Sequence, residues 1–262
     1  MMGSYIDAGI RMSQKDLDVT DQISAMYVCK KYMPSVIIHL ASLTDLAVCE
    51  QDPAKAYLVN AVGAYNMAVT ARSVGAKLVY ISTSGIFDGT KTEPYTDKDI
   101  PNPINVYGHS KYLGELAVRG ILEDYIIVRT SWLFGGGVAK DKKFVGKILV
   151  QLGGQDVCAV YDKVGSPTYA KDLVAAIMEL IEKDKCGIFN VCNGVATRYD
   201  FAKEIARITG SSAKILPVAS TEFKSGYESG NNEGIISSVP MRSWEEALRE
   251  YINNECGGSI YK

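Results

Sequence analysis

Three apolar runs constrain this chain more than anything else in it: Val36-Ile37-Ile38-His39-Leu40-Ala41, Leu78-Val79-Tyr80-Ile81-Ser82 and Ile126-Ile127-Val128-Arg129. Short, nearly continuous runs of β-branched and aliphatic residues fit strands buried on both faces of a parallel sheet. Each run gives way to small or hydroxyl-bearing residues: Ala41-Ser42, Ser82-Thr83-Ser84 and Thr130-Ser131. Helix patterns separate them. One covers Gln22–Tyr32, another runs from Asp52-Pro53 to Ala71 and is closed by Gly75, and a third covers residues 172–183 with Leu173, Ile177 and Leu180 at helical spacing. A closing helix is expected over residues 244–251, followed by a frayed tail from Asn253. Alternating strands and helices specify an α/β fold with a doubly wound parallel sheet and a smaller C-terminal α/β lobe. The three runs are expected to be adjacent, parallel, central strands. Ligands in such sheets bind at the carboxyl ends of the strands.

One stretch offers chemistry at that end. In Asn105-Val106-Tyr107-Gly108-His109-Ser110-Lys111 a tyrosine and a lysine lie four apart, one turn apart on the same helix face. A free phenol has a pKa of about 10. A neighbouring ammonium stabilises the phenolate and lowers that value. Such a pair exchanges a proton with a substrate oxygen near neutral pH. Alone, the spacing also fits a half-exposed tyrosine and a solvated lysine on a surface helix. His39 lies within an apolar run and reads as a satisfied core histidine.

Strand-end Thr83 with Tyr107 and Lys111 resembles the Ser/Thr–Tyr–Lys site of the short-chain dehydrogenase/reductase superfamily, in its extended, nucleotide-sugar branch. The segments Ile81-Ser82-Thr83-Ser84-Gly85-Ile86-Phe87-Asp88-Gly89, Pro103-Ile104-Asn105-Val106-Tyr107-Gly108-His109-Ser110-Lys111 and Arg129-Thr130-Ser131-Trp132 are most similar to the dTDP-4-dehydrorhamnose reductase family. Asn60-Ala61-Val62-Gly63-Ala64-Tyr65-Asn66 resembles that family's Asn-x-x-Gly-x-x-Asn helix, and Gly165-Ser166-Pro167-Thr168 its Gly-x-Pro-Thr turn.

The resemblance implies a Rossmann-like dinucleotide domain from residues 1–134 and 156–184, and a substrate lobe from 135–155 and 185–262. It implies NADPH- or NADH-dependent reduction of the C4 ketone of a dTDP-linked 6-deoxy-4-keto sugar. Tyr107 would give the proton, Lys111 would lower its pKa and bond the nicotinamide ribose, and Thr83 would bond the substrate oxygen. Asp18 and Val19 would meet the adenine, Ala41 and Ser42 the cofactor, and Ser84 and Trp132 the substrate. A homodimer is compatible with it.

Three departures stand out. The branch opens with a strand and a Gly-x-x-Gly-x-x-Gly turn whose N–H groups meet the pyrophosphate. Here Met1 to Ser13 contains only Gly3 and Gly9. By the resemblance, residues 9–21 correspond to the second strand and the turn after the third, while the first strand, the phosphate turn and most of the first helix have no counterpart. Ser84-Gly85 stands where the reductases usually carry Asp-Tyr, which removes an aromatic wall. Glu228-Ser229-Gly230-Asn231 stands where they often carry an Arg-Pro, so part of the expected substrate contact is absent. Two other readings follow from the first departure: a non-catalytic, nucleotide-binding regulatory protein of the same family, such as the subunit paired with methionine adenosyltransferase, or a natural chain that starts further upstream.

Bulk properties narrow the class. The 262 residues carry a net charge of −2, which gives no electrostatic case for nucleic acid or an anionic membrane. No apolar run approaches the ~20 residues of a membrane span, and residues 1–9 have no leader-like apolar core. Six cysteines without a Cys-x-x-Cys read as reduced packing residues of a cytoplasmic protein, and no Cys/His cluster supports a zinc site. The loop from Asp88 to Pro103 should border the substrate mouth. The basic stretch Lys140 to Lys143 reads either as a solvated loop or as a lid near the nucleotide diphosphate.

Overall fold

Four strands lie side by side and all run parallel: Val36–His39 (β1), Lys77–Thr83 (β2), Tyr125–Thr130 (β3) and Gly187–Asn190 (β4), in that order. The computed structural model describes residues 2–7, 9–223 and 225–257. The expected parallel neighbours are therefore present, with two changes of place. β1 is not central but forms one edge of the sheet among the described residues, and its first three residues are only half-buried. Strand β4, assigned from sequence to the smaller lobe, completes the sheet on the far side of β3.

The period-two alternation of the strands sorts their side chains onto two faces. Leu78, Tyr80 and Ile127 pack with Ala64, Met67, Ala68 and Ala71 of the Gly63–Val74 helix and Val118 of the Val106–Ile121 helix. Val79, Ile126 and Val128 face the other way, onto Leu173, Val174, Ile177 and Leu180 of the Ala170–Glu182 helix. Full burial of each such side chain contributes about 1.5–3 kcal/mol. Met2 and Tyr5 join this second face, so the start of the chain lies across the helix that covers it. Residues 9–21 contain no strand among the described residues, contrary to the expected alignment with a second strand.

A further core gathers Phe134, Ile148, Leu149, Val157, Phe201, Ile205, Leu248, Tyr251 and Ile252. Val157–Val160 pairs in parallel with Ile215–Val218 beside it, so this strand also lies on the opposite side of the expected division. The last helix runs from Trp244 to Glu255, opened by a capping box between Ser243 and Glu246. Asn253 to Glu255 are thus helical rather than frayed, and residues 258–262 of the expected tail lie outside the described residues. The cysteines carry no disulfide among the described residues, but Cys158 and Cys186 are exposed instead of packed. Cys158 sits on a strand whose residues alternate between core and solvent.

Candidate active site

The carboxyl end of β2 meets the start of the Val106–Ile121 helix. Asn105 caps that helix by accepting from Gly108 N at 2.8 Å, while its amide donates to Glu228 O at 2.9 Å. Val106 N donates to Glu50 at 2.8 Å. The helix therefore begins at Val106, and Tyr107 stands in its first turn. Gly108 is required here for space. A Cβ at that position would lie 2.0 Å from Gly85 O, so a side chain would push the helix off the strand-end turn.

Thr83 caps the short Ser84–Ile86 turn, accepting from Gly85 N at 3.0 Å. That bond leaves the threonine O–H free to donate, with the Tyr107 phenol beside it. Gly85 is close by: a Cβ there would lie 3.4 Å from Thr83 Oγ1 and 3.7 Å from the Tyr107 ring. Burial pushes the Tyr107 phenol up to about 12; hydrogen bonding to Thr83 opposes this, while Cys49 and Glu233 add to it. Lys111 stands one turn beyond Tyr107 on the same helix. It is 2% exposed, its Nζ lies 4.1 Å from the centre of the Tyr80 ring, and it has no hydrogen-bond acceptor among the described residues. Desolvation brings Lys111 down to about 7, against the pull of Glu115. Glu115 is itself held in a buried ion pair by Arg129.

Asn60 organises the other wall. It lies in a π-helical turn, Leu58–Val62, of the kind often found at functional positions. Its Oδ1 accepts from Ser42 Oγ at 2.9 Å and Leu43 N at 2.8 Å, and its amide donates to Leu43 O and to Ser110 Oγ, both at 3.0 Å. One buried side chain thus ties the end of β1 to the Tyr107 helix. Ser42 is held by this bond and Ala41 is exposed. His39, just before them, is 4% exposed, stacks on Tyr80 with ring centres 5.8 Å apart, and is pushed down to about 3 by burial and then by Lys111. Its Nε2 has no partner, so it is a core histidine but not a satisfied one.

Asp18 and Val19 are engaged elsewhere. The Asp18 carboxylate accepts from Thr20 N and Oγ1 at 2.9 and 2.8 Å, closing a local turn. Val19 is buried against Gly63, and Asn66 fixes its carbonyl at 2.9 Å. Ser84 is buried in the strand-end turn. Trp132 adopts a left-handed φ of 40° after β3. Gly165 makes room for its indole, since a Cβ there would lie 2.1 Å from the ring. A cleft of about 680 Å³ runs between residues 88–92 and 228–232, so the loop after Asp88 does border an opening, although Thr83, Tyr107 and Lys111 do not line it.

Sequence reasoning missed two residues of this region. Arg198 stacks on Trp132, with its guanidinium carbon 3.5 Å from the ring centre. Glu233 interacts electrostatically with both Arg198 and Tyr107 and is raised by burial. Both come from parts of the chain that read as an ordinary helix start and a polar loop. Only the unusual placement of an arginine immediately after the cap Thr197 could have drawn notice.

Residues 7–256 match the RmlD substrate binding domain family. The spore coat polysaccharide biosynthesis protein SpsK of Bacillus subtilis is 36% identical over 250 residues, covering 93% of this chain and 87% of that protein. The dTDP-4-dehydrorhamnose reductase of Mycobacterium tuberculosis is 32% identical over 269 residues, with 94% and 88% covered. The crystal structure of dTDP-4-dehydrorhamnose reductase from Bacillus anthracis in complex with NADP superposes with a TM-score of 0.88 at 35% identity, over 92% of this chain and 88% of that one.

Proposed function

The chain belongs to the RmlD substrate binding domain family, and from that membership we propose that it is an NADPH- or NADH-dependent reductase of a nucleotide-linked 4-keto-6-deoxy sugar, of the dTDP-4-dehydrorhamnose type. The observation that carries the reading is the meeting of Thr83, Tyr107 and Gly85 at the carboxyl end of β2, with Lys111 one turn further along the same helix.

The residues present suit the nicotinamide end of a dinucleotide. The Lys111 ammonium has no hydrogen-bond acceptor among the described residues, and a ribose hydroxyl would supply one. Asp18 and Val19 are less suited to the adenine end, because a turn and the core already occupy them. When bound, the dinucleotide supplies the hydride. Tyr107 holds the proton that the C4 oxygen takes as its carbon becomes tetrahedral. With its pKa at about 12, the phenol is fully protonated at neutral pH and available as a donor. Thr83 donates to the same oxygen, and positioned donors of this kind stabilise the developing alkoxide. Lys111, when charged, favours the tyrosinate that proton transfer leaves behind.

In this reading residues 1–134 and 156–184 carry the dinucleotide and residues 135–155 and 185–262 the sugar, apart from the two strands that change sides. A cytoplasmic location accords with free cysteines, and no helix among the described residues is long and apolar enough to cross a membrane. The test is turnover of dTDP-4-dehydrorhamnose with loss of NADPH absorbance, with dTDP-rhamnose identified as product. Tight binding of the dTDP-sugar with no turnover under any cofactor condition would favour the non-catalytic, regulatory reading instead.

A further inference from the structure

Residues 228–235 form a strap that is pinned on both sides. Asn105, the cap of the Tyr107 helix, donates to Glu228 O at 2.9 Å. Gly230 and Gly89 lie so close that a Cβ on either would come within 2.4 Å of the other's Cα. The Asn232 amide donates to the carbonyls of Lys91, Thr92 and Glu93 at 3.0, 3.1 and 3.1 Å. Glu233 N donates to Val164 O at 2.8 Å, Tyr95 N to Gly234 O at 2.8 Å and Ile235 N to Ser166 Oγ at 2.9 Å. Ile235 is fully buried and packs with Ile86 and Phe87, just beyond Ser84-Gly85. The backbone at Glu233 is therefore fixed from both sides, next to the turn that Thr83 caps.

The carboxylate of Glu233 takes no part in this bonding. It has no hydrogen bond and no ion pair among the described residues. Two cations act on it from a distance, and both are engaged elsewhere: Arg198 stacks on Trp132, and Lys163 donates to Ser229 O and Gly230 O. Burial raises its pKa, and those two charges oppose the rise. Its own charge reaches Tyr107, so the carboxylate lies on the catalytic side of the strap. The space there is open at one point. A Cβ at residue 85 would touch both Thr83 Oγ1 and the Tyr107 ring, and glycine leaves that volume clear. An ionised carboxylate only accepts hydrogen bonds, through two oxygens. Holding one half-buried without a donor is unfavourable. A ligand that relieves this must bring donors, which phosphate and carboxylate groups do not.

We propose that Glu233 is a specificity-determining residue that accepts hydrogen bonds from the C2 and C3 hydroxyls of the sugar whose C4 oxygen meets Tyr107. The identity of that sugar rests on the reductase reading. In a nucleotide-linked 6-deoxy-4-keto sugar, C1 carries the nucleotide and C5 the methyl group. C2 and C3 are the ring carbons left with hydroxyls, and C3 adjoins the reacting carbon. Two neighbouring hydroxyls match two carboxylate oxygens. Selection then works by the bond left unmade: a deoxy sugar leaves the carboxylate desolvated and unpaired, and a sugar with an acidic substituent at that edge is repelled.

Calorimetric titration of the whole chain tests this with dTDP, dTDP-rhamnose and the 2-deoxy and 3-deoxy forms of dTDP-rhamnose, so no turnover is needed. The wild type should prefer dTDP-rhamnose to either deoxy form by roughly 10- to 100-fold, the scale of a hydrogen bond to a charged group. Glu233→Gln keeps the size of the side chain and loses its charge, and should narrow that preference. Glu233→Ala should abolish it, and neither variant should weaken dTDP. A purely structural role would weaken all four probes alike. Glu233→Gln supplies the result even if the alanine disturbs the strap. A wild type that binds the deoxy forms as tightly as dTDP-rhamnose, or binds none of the four, overturns the proposal, as does a preference that survives intact in both variants. A preference that depends on Glu233 in a protein without NADPH turnover counts against the reductase reading and leaves the hydroxyl site standing.

Discussion

Arg129 and Glu115 are joined by two hydrogen bonds inside the protein, Nε to Oε1 at 3.0 Å and Nη2 to Oε2 at 2.7 Å, with side chains 2% and 0% exposed. Arg129 comes from β3 and Glu115 from the Tyr107 helix, so the pair fixes that helix against the sheet. Glu115 also lies one turn beyond Lys111 and holds its pKa up. Glu115→Gln should destabilise the protein by ~3–5 kcal/mol, because it strands a buried guanidinium. Urea denaturation measures this.

Tyr107→Phe keeps the ring and removes the proton. Reductase activity should fall by roughly 10²–10⁴-fold, the scale of general acid catalysis. The melting temperature should change little, since the ring keeps its packing. His109→Ala is the control. Its ring bonds Tyr57 at 2.9 Å and faces away from Thr83, so the rate should persist. Full activity in Tyr107→Phe would remove the catalytic assignment.

The pH dependence should have an alkaline limb set by Lys111. Its pKa is lowered to about 7 from 10.5, so it loses its charge as pH rises through that value. Proton donation by Tyr107 then loses the cation that favours tyrosinate, and the reduction rate should decline above about pH 7. Lys111→Met should be slower and lack this limb. Glu115→Gln should move the limb to lower pH. A wild-type profile flat from about pH 6 to 9, the range over which this lysine titrates, would contradict the assignment.

His39 makes stability sensitive to acid. Its folded pKa, about 3, lies below the ordinary 6.5. A group depressed in this way contributes stability above the unfolded value and loses it as pH falls toward the folded one. At pH 5 the loss should be about 2 kcal/mol. His39→Phe keeps the stack on Tyr80 and removes the orphan nitrogen. Melts at pH 5 and 8 should show the variant gaining on wild type only at the lower pH.

Asn60→Ala should cost about 2–4 kcal/mol, since it strips Leu43 N of its acceptor and removes the bonds to Ser42, Leu43 O and Ser110. It should also lower activity, because the end of β1 would no longer be tied to the Tyr107 helix. Normal activity with lowered stability would show that Asn60 is structural only.

The sheet was legible because its strands are written as uninterrupted apolar runs, and Thr83, Tyr107 and Lys111 were legible because a strand end and a helical spacing place them. What failed depends on neighbours far along the chain. β1 reads as central, but its rank in the sheet depends on which strand lies beyond it, and β1 itself cannot encode that. The spacing places Lys111 beside Tyr107 but cannot show that its ammonium also lies over the Tyr80 ring. His39 reads as satisfied, but no acceptor or donor reaches its Nε2. Arg198 and Glu233 carried no signal because one stacks on Trp132 and the other acts electrostatically on Tyr107, each from a different element.

The carboxylate of Glu255 accepts from the Tyr5 hydroxyl at 2.8 and 2.6 Å, bonds Tyr169, and with Tyr5 receives Gly136 N. The Tyr5 and Glu255 partners are 250 positions apart. A contact of that span gains nothing until the structure between is in place, so it is among the last to form and the first to open. The start of the chain and its last helix should therefore exchange their amide hydrogens together, as one latch, ahead of either core. Tyr5→Phe would loosen the latch at both ends of the chain at once.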